Sequence, residues 1–368
     1  MDGAPQPEVH RSPVLPAGVE EGWRALVAAT PGGSWFMTPD WVLSWWETMG
    51  ADLPPGAAEV AVWRGPGGAV EAVAPLLHTR LRLHPRAPVS APCVTLLGSG
   101  AGAADHCGLP SLPGRRADVR EWLAQRGRGA SLWLPNVDPG QTGLLPSGVR
   151  TVERFPCPRA DLSAGVDALG SRQFRADVRR YGRKLAAAGV SFRWVPPGEA
   201  GPELLDEVMR LHLLRRAALG RPTTFDAARR PLHHRLLERS AGGSGPGRGP
   251  ALLVASSGGE VVGGLYGFLW GDTFAYYQIG WDPAWAPLRL GTAVIAEAMR
   301  ACAGRGVRTF DFLRGTEPYK YRFGAVDRHD LGLLLPRGAG GALLGLRQRV
   351  RARRSAAGPA ADGRADRS

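Results

Sequence analysis

The stretch Phe310-Asp311-Phe312-Leu313-Arg314-Gly315-Thr316-Glu317-Pro318-Tyr319-Lys320-Tyr321-Arg322-Phe323-Gly324 packs four kinds of polar group between two apolar runs. Residues 307–312 are β-prone, which places Asp311 near the end of a strand. Arg314-Gly315 forces a turn, and Pro318 starts a loop or helical turn that carries Tyr319 and Lys320. A carboxylate, a guanidinium, a phenol and an amine this close together can perform acid–base chemistry. They can equally form a structural ion pair, Asp311 with Arg314 or Lys320, that holds the loop. Spacing alone favours neither reading.

The region upstream has a recognisable order. Ser171 can cap a helix over residues 171–188, whose apolar face is Phe174, Val178, Tyr181 and Leu185, with arginines on the other sides. A second helix over 202–219 carries Leu205, Val208, Met209 and His212, and Gly220 ends it. Residues 251–256, 261–270 and 273–279 read as three consecutive strands, joined by Gly258-Gly259 and Gly271-Asp272. A helix follows over 290–303, then strands at 307–312 and 330–335. An antiparallel meander leading into a crossover helix predicts a mixed α/β (α+β) domain. No G-x-G-x-x-G or P-loop is present.

The junction between the third strand and the helix is the second candidate site. Tyr277, Gln278 and Ile279 end the strand, and Arg289, Gly291 and Thr292 open the helix. Free N–H groups and the positive dipole end make a helix N-terminus an anion site. Gly291 allows close backbone approach, and Arg289 and Thr292 add donors. An ordinary capped helix would carry the same residues.

The first half reads less sharply. Thr38, Pro39 and Asp40 suit a helix start, and Trp41, Trp45 and Met49 recur at helical spacing, most simply as core. Residues 59–63 and 69–77 form a hairpin around Gly65-Pro66-Gly67-Gly68, and 131–135 is another strand. Asp105-His106-Cys107 is too sparse to predict a metal site.

Bulk properties bound the rest. A chain of 368 residues with 44% hydrophobic residues predicts two globular domains. We expect a loose arm at 1–18, a first lobe at 19–162, a second at 163–335 and a basic, largely disordered segment at 336–368, with a short basic helix read at 343–354. The net charge of +13 is almost all arginine, alongside abundant alanine, glycine and proline, as a GC-rich genome would produce. A basic surface favours anionic partners, and the arginines between 347 and 354 could touch an anionic membrane. The four cysteines include no C-x-x-C pair, so they predict reduced thiols and a cytoplasmic location. No secretory signal or membrane span is read.

The segment 310–324 resembles the "FDFLRG-x-x-x-YK-x-x-(F/W)G" signature of the CelD/BcsL-like acetyltransferases, a branch of the GNAT superfamily. The helix at 171–185, Leu211-His212 with Phe225, the hairpin at 259–268 and the Trp-rich helix at 35–49 are similar to further motifs of that family, in the same order. The order of elements in the second half also suits a GNAT fold better than a Rossmann sheet. The resemblance implies a tandem GNAT-like fold, acetyl-CoA or another acyl-CoA as co-substrate, no metal, and a small-molecule or glycan acceptor. It also implies kinship with FemAB-like proteins, which take aminoacyl-tRNA; nucleic acid would be a partner only in that case. A non-catalytic scaffold in polysaccharide assembly is a third reading. Carried over, Tyr277, Gln278 and Ile279 would bind pantetheine, and Arg289, Gly291 and Thr292 the diphosphate. After Gly291 the sequence departs from the usual "(Q/R)-x-x-G-x-(G/A)". Asp311 becomes the expected general base with His212 as alternative, Tyr319 the acid, and Arg314 and Lys320 the acceptor-orienting groups.

Overall fold

The computed structural model describes residues 6–84, 88–100, 104–220, 223, 225–242 and 247–356. They form two compact units, one combining Met1–Phe155 with His329–Asp362, the other centred on Pro156–Arg328. The first unit begins β1 (Glu8–His10), α1 (Val19–Ala29), α2 (Pro39–Thr48), β2 (Ala58–Arg64), β3 (Val70–Arg82), β4 (Ser90–Leu96), α3 (Arg116–Arg126) and β5 (Ser131–Val137). β6 (Arg150–Asp161) then carries the chain into the second unit. There follow α4 (Arg172–Ala187), β7 (Ser191–Val195), α5 (Pro202–Ala218), α6 (Arg230–Ala241), β8 (Gly249–Ser257), β9 (Glu260–Trp270), β10 (Thr273–Trp281), α7 (Leu290–Ala303), β11 (Thr309–Asp311) and α8 (Pro318–Arg322). β12 (Val326–Leu335) and α9 (Gly338–Ala356) return it to the first.

The two units repeat one topology. In the first, β1-β2-β3-β4 is antiparallel and β5 joins β4 in parallel after the crossover helix α3. In the second, β7-β8-β9-β10 is antiparallel and β11 joins β10 in parallel after α7. Parallel neighbours need such a crossover, so α3 and α7 play the same part. Two helices also separate the first strand of each repeat from its meander. Each sheet is extended by a strand from the other repeat: β12 pairs with β5, and β6 with β11.

Local chemistry explains the elements. Ser171 caps α4 by accepting the Phe174 N–H at 3.1 Å, and Thr38 accepts the Trp41 N–H at the start of α2. Trp41, Trp45 and Trp46 are buried, so the aromatic stripe of α2 is core. In the second unit Phe174, Val178 and Leu185 of α4 and Val294 and Met299 of α7 cover one face of the sheet over Leu253, Leu265, Phe274 and Phe310. α5 packs directly on β10. A Cβ on Gly280 would lie 2.3 Å from the Val208 carbonyl oxygen and 2.4 Å from the His212 nitrogen, so only glycine admits this approach.

Several expectations change. Residues 8–10 of the supposed loose arm pair with β2. The short basic helix read at 343–354 is the longer α9, whose Leu344 is buried with Cys93 and Leu334; residues 357–368 lie outside the described ones. The chain passes to the second unit at 155/156 rather than at 162/163, and it returns to the first at 328/329, where the second lobe was expected to run on to 335. α6 escaped the sequence reading because its buried positions include His233 and Ser240, which break the apolar stripe. All four cysteines are buried, and burial pushes the Cys93 thiol up to about 12.

Two predictions concern this framework. Gly280→Ala should lower stability by about 1–3 kcal/mol through overpacking. Gly182→Ala, exposed to nothing within 4 Å on α4, should raise it by up to about 1 kcal/mol. Urea unfolding checks both. His233 is fully buried among Phe225, Tyr266 and Tyr277. Burial, helped by the charges of His234 and Arg229, holds its pKa down to about 3. The unfolded chain takes up this proton below about pH 6.5 while the folded one does not. Stability is therefore complete above pH 6.5 and falls as pH drops toward 3. His233→Phe should flatten the decline in urea midpoint between pH 7.5 and 5.

Candidate functional site

The site begins where two strands part. The parallel pairing of β10 and β11 ends at Ala275↔Asp311, while β10 runs on to Trp281. The stretch Tyr276–Trp281 thus keeps β9 as its neighbour but has no β11 partner beyond that point. A β-bulge between Tyr276 and Gln278 shifts the strand's phase. In a regular strand Tyr277 and Ile279 would share a face. With one residue inserted, Tyr276 and Ile279 share it instead. Together with Trp281, Tyr319 and the first turn of α7, they line a cavity of about 260 Å³.

The lining is apolar at Ile279, Ile295, Ala218 and Leu219, and cationic at Arg215 and Arg289. Arg289 caps α7 in the left-handed conformation (φ 59°), and Thr292 follows in the first turn. This turn presents N–H groups without intrahelical partners, and the helix dipole adds positive potential. The Arg215 guanidinium lies 5.0 Å from the centre of the Trp281 ring. Gly291 has a specific reason: a Cβ there would meet the Trp281 indole nitrogen at 2.5 Å. Its lack of a side chain therefore seats Trp281.

Tyr276 and Tyr319 form a hydrogen-bonded phenol pair. Burial, then the neighbouring Tyr276 and Glu317, hold the Tyr319 phenol well above its ordinary range, although Arg215 opposes this. Burial does the same to Tyr276. Both are neutral proton carriers near pH 7.

The remaining expected residues do not meet at the cavity. Asp311 is fully buried on β11, pairs with Arg159 on β6 directly opposite, and accepts the Leu313 N–H at 2.8 Å. Its neighbours Phe310 and Phe312 alternate to the aromatic face that includes Tyr276. The expected base is thus a committed carboxylate, ion-paired to Arg159. Lys320 is also buried. Its Nζ donates to the carbonyls of Leu313, Arg314 and Gly315 at 3.1–3.2 Å and pairs with Glu317 at 2.9 Å. It ties the loop together instead of orienting an acceptor. Arg314 is exposed and outside the cavity lining.

His212 is likewise engaged on both sides of its ring. Nδ1 faces the Ile279 carbonyl at 2.8 Å, so this nitrogen carries the hydrogen, and Nε2 faces the Thr223 hydroxyl at 2.7 Å. Burial lowers its pKa. It fixes α5 and Thr223 to β10 and is not placed as a base. Tyr277 points to the opposite face, against Phe225, His233 and Phe268, and Gln278 does not line the cavity. Of the expected residues, Ile279, Arg289, Gly291, Thr292 and Tyr319 come together. Sequence reasoning assigned no role to the side chains of Tyr276, Arg215 and Trp281. The bulge hid Tyr276, since period-two alternation counted from Tyr277 selects the wrong face. Arg215 was one arginine among many.

In the first unit, Asp105-His106-Cys107 has a structural role. His106 Nδ1 lies 2.8 Å from Asp330, which also accepts the His106 backbone N–H at 2.7 Å, and both side chains are buried.

Comparison with known proteins fits this architecture. Residues 172–321 match the family model "Acetyltransferase (GNAT) domain". No curated protein matches the chain in sequence. Among solved structures, FemX is similar at a TM-score of 0.59 and 12% identity, over 89% of this chain and 96% of that one. The C-terminal domain (DUF2156) of a putative lysylphosphatidylglycerol synthetase from Agrobacterium fabrum gives 0.55 and 12%, over 90% and 95%. L-PGS from Bacillus licheniformis gives 0.54 and 13%, over 90% and 95%. At these identities the likeness is one of fold, and it extends well beyond the matched domain. The chain carries a mixed α/β topology twice in tandem, and residues 172–321 match the GNAT acetyltransferase domain model.

Proposed function

We propose that the second unit is an acyl-CoA-dependent acyltransferase that moves an acetyl or other acyl group to an amine or hydroxyl. The observation that carries this is the parting of β10 from β11 beyond Ala275↔Asp311, which opens a cavity between a bare strand edge and the N-terminus of α7. Backbone groups of Tyr276–Trp281 that face away from β9, other than the Ile279 carbonyl taken by His212, would hold an extended amide-containing arm. Arg289, Thr292 and the first turn of α7 would hold phosphate at its far end. The cavity suits the thioester arm, with the nucleotide outside it. The CelD/BcsL-like motifs support a cytoplasmic enzyme whose acceptor is a glycan or small molecule.

The chemistry follows from the lining. The nucleophile attacks the thioester carbonyl, and collapse of the tetrahedral oxyanion expels a thiolate. Tyr319, neutral and paired with Tyr276, would protonate it. No carboxylate or imidazole lines the cavity among the described residues. An amine acceptor would therefore enter as its free base and release its proton to water, with much of the rate coming from positioning. Asp311 and Lys320 act at one remove by fixing the loop that presents Tyr319.

A second reading, transfer from an aminoacyl-tRNA, is favoured by the exposed Arg172, Arg179, Arg180, Arg183 and Lys184 of α4. Thermal-shift titration separates the readings. A stabilisation by acetyl- or longer acyl-CoA supports ours; a shift with charged tRNA alone supports the second; no shift with either supports a non-catalytic scaffold. With an active acceptor, Tyr319→Phe should lower kcat about 10²-fold with little change in KM. An unchanged kcat would remove Tyr319 from the proton transfer.

Asp311→Asn leaves Arg159 without its countercharge. It should lower stability by about 2 kcal/mol, less than for a fully buried pair because Arg159 is partly exposed. At a temperature where the variant is folded, acyl-CoA affinity should stay within about threefold. The pH profile of kcat/KM should keep rising toward the acceptor's own pKa, as in the wild type. A basic limb lost only in the variant would restore Asp311 as the base.

A further inference from the structure

α9 has two unlike faces. Leu344 and Gln348 are buried, with Leu344 in a cluster with Cys93 and Leu334. Small residues bring the helix close to the first unit's sheet: a Cβ on Gly340 would lie 2.9 Å from Ala91, and one on Gly341 2.5 Å from the Ser131 hydroxyl. Arg347 reaches back to donate to the Arg82 carbonyl. The opposite face is exposed and apolar. Leu343 is 52% exposed, Leu346 54% and Val350 41%, at i, i+3 and i+7, so they form one stripe along the helix. They account for three of the larger exposures among the described hydrophobic side chains.

Charge accompanies the stripe. Arg347 and Arg349 flank it, the sequence adds Arg351, Arg353 and Arg354, and α9 contains no acidic residue. Leucines exposed in line on an arginine-rich helix match an anionic bilayer surface. There the side chains enter the headgroup–acyl boundary while guanidiniums meet lipid phosphate. A protein partner of ordinary composition would not ask for cations without a single countercharge. We infer that α9 docks the protein on anionic lipid membranes, lying in the interface rather than crossing it. No described helix is long and apolar enough to span a bilayer.

Sedimentation of the full chain with sucrose-loaded vesicles tests this, using phosphatidylcholine alone and phosphatidylcholine with 30% phosphatidylglycerol as probes. The wild type should bind the anionic vesicles at least about tenfold more than the neutral ones, and 0.5 M salt should weaken the binding. Leu343→Asp with Leu346→Asp changes exposed positions only and should abolish it at unchanged Tm. Arg347→Gln with Arg349→Gln should reduce it about tenfold or more. Three results would overturn the inference. One is no preference for anionic vesicles; another is wild-type binding by the folded Leu343→Asp/Leu346→Asp variant. The third is a concentration-dependent dimer that this variant dissolves without any vesicle binding, which would make the stripe a self-association surface.

Discussion

The second unit depends on how far β11 can follow β10. The two are parallel, so they can be joined only through a crossover helix, and their ladder ends at Ala275↔Asp311. Everything at the candidate site follows from that end point. The remaining length of β10 offers an open backbone edge, α7 aims its N-terminus at it, and the chain leaving β11 must turn sharply. That turn uses Leu313 in a left-handed conformation (φ 54°), a costly choice for a branched aliphatic residue. Asp311 and Lys320 stabilise it from either side, the carboxylate through the Leu313 N–H and the ammonium through three consecutive carbonyls.

This division of labour changes the meaning of the polar cluster at 311–320. Three of its four conspicuous groups serve the loop or the surface, and one, Tyr319, faces the cavity. Buried charges are tolerated here because each is matched: Asp311 by Arg159 and an N–H, Lys320 by Glu317 and backbone oxygens. A cluster built to hold a turn and one built to move protons share a composition. What separates them is which atoms are already hydrogen-bonded. The imidazole of His212 obeys the same logic, with both nitrogens committed.

The tandem arrangement has a comparable economy. Each repeat supplies two helices, a meander, a crossover helix and a parallel strand, and each sheet is then extended by a strand of the other repeat. In the second unit that added strand, β6, carries Arg159, so the countercharge of Asp311 comes from the preceding repeat.

Much of the second unit was legible without coordinates. The Ser171 cap, the helices at 202–219 and 290–303, and the three-strand meander all lie in plain periodicity, because local hydrogen bonding and amphipathicity are local properties of sequence. The order of elements and the 310–324 motif pointed to the fold and to the end of β11 as the important place. The tertiary structure alone decided which side chains face the cavity. A single bulge exchanges Tyr277 for Tyr276, since one inserted residue reverses the side of every following side chain, and sequence periodicity carries no mark of it. It also decided that Asp311 and Lys320 are committed, because their partners, Arg159 and the loop carbonyls, are chosen by strand pairing and chain reversal rather than by spacing along the chain.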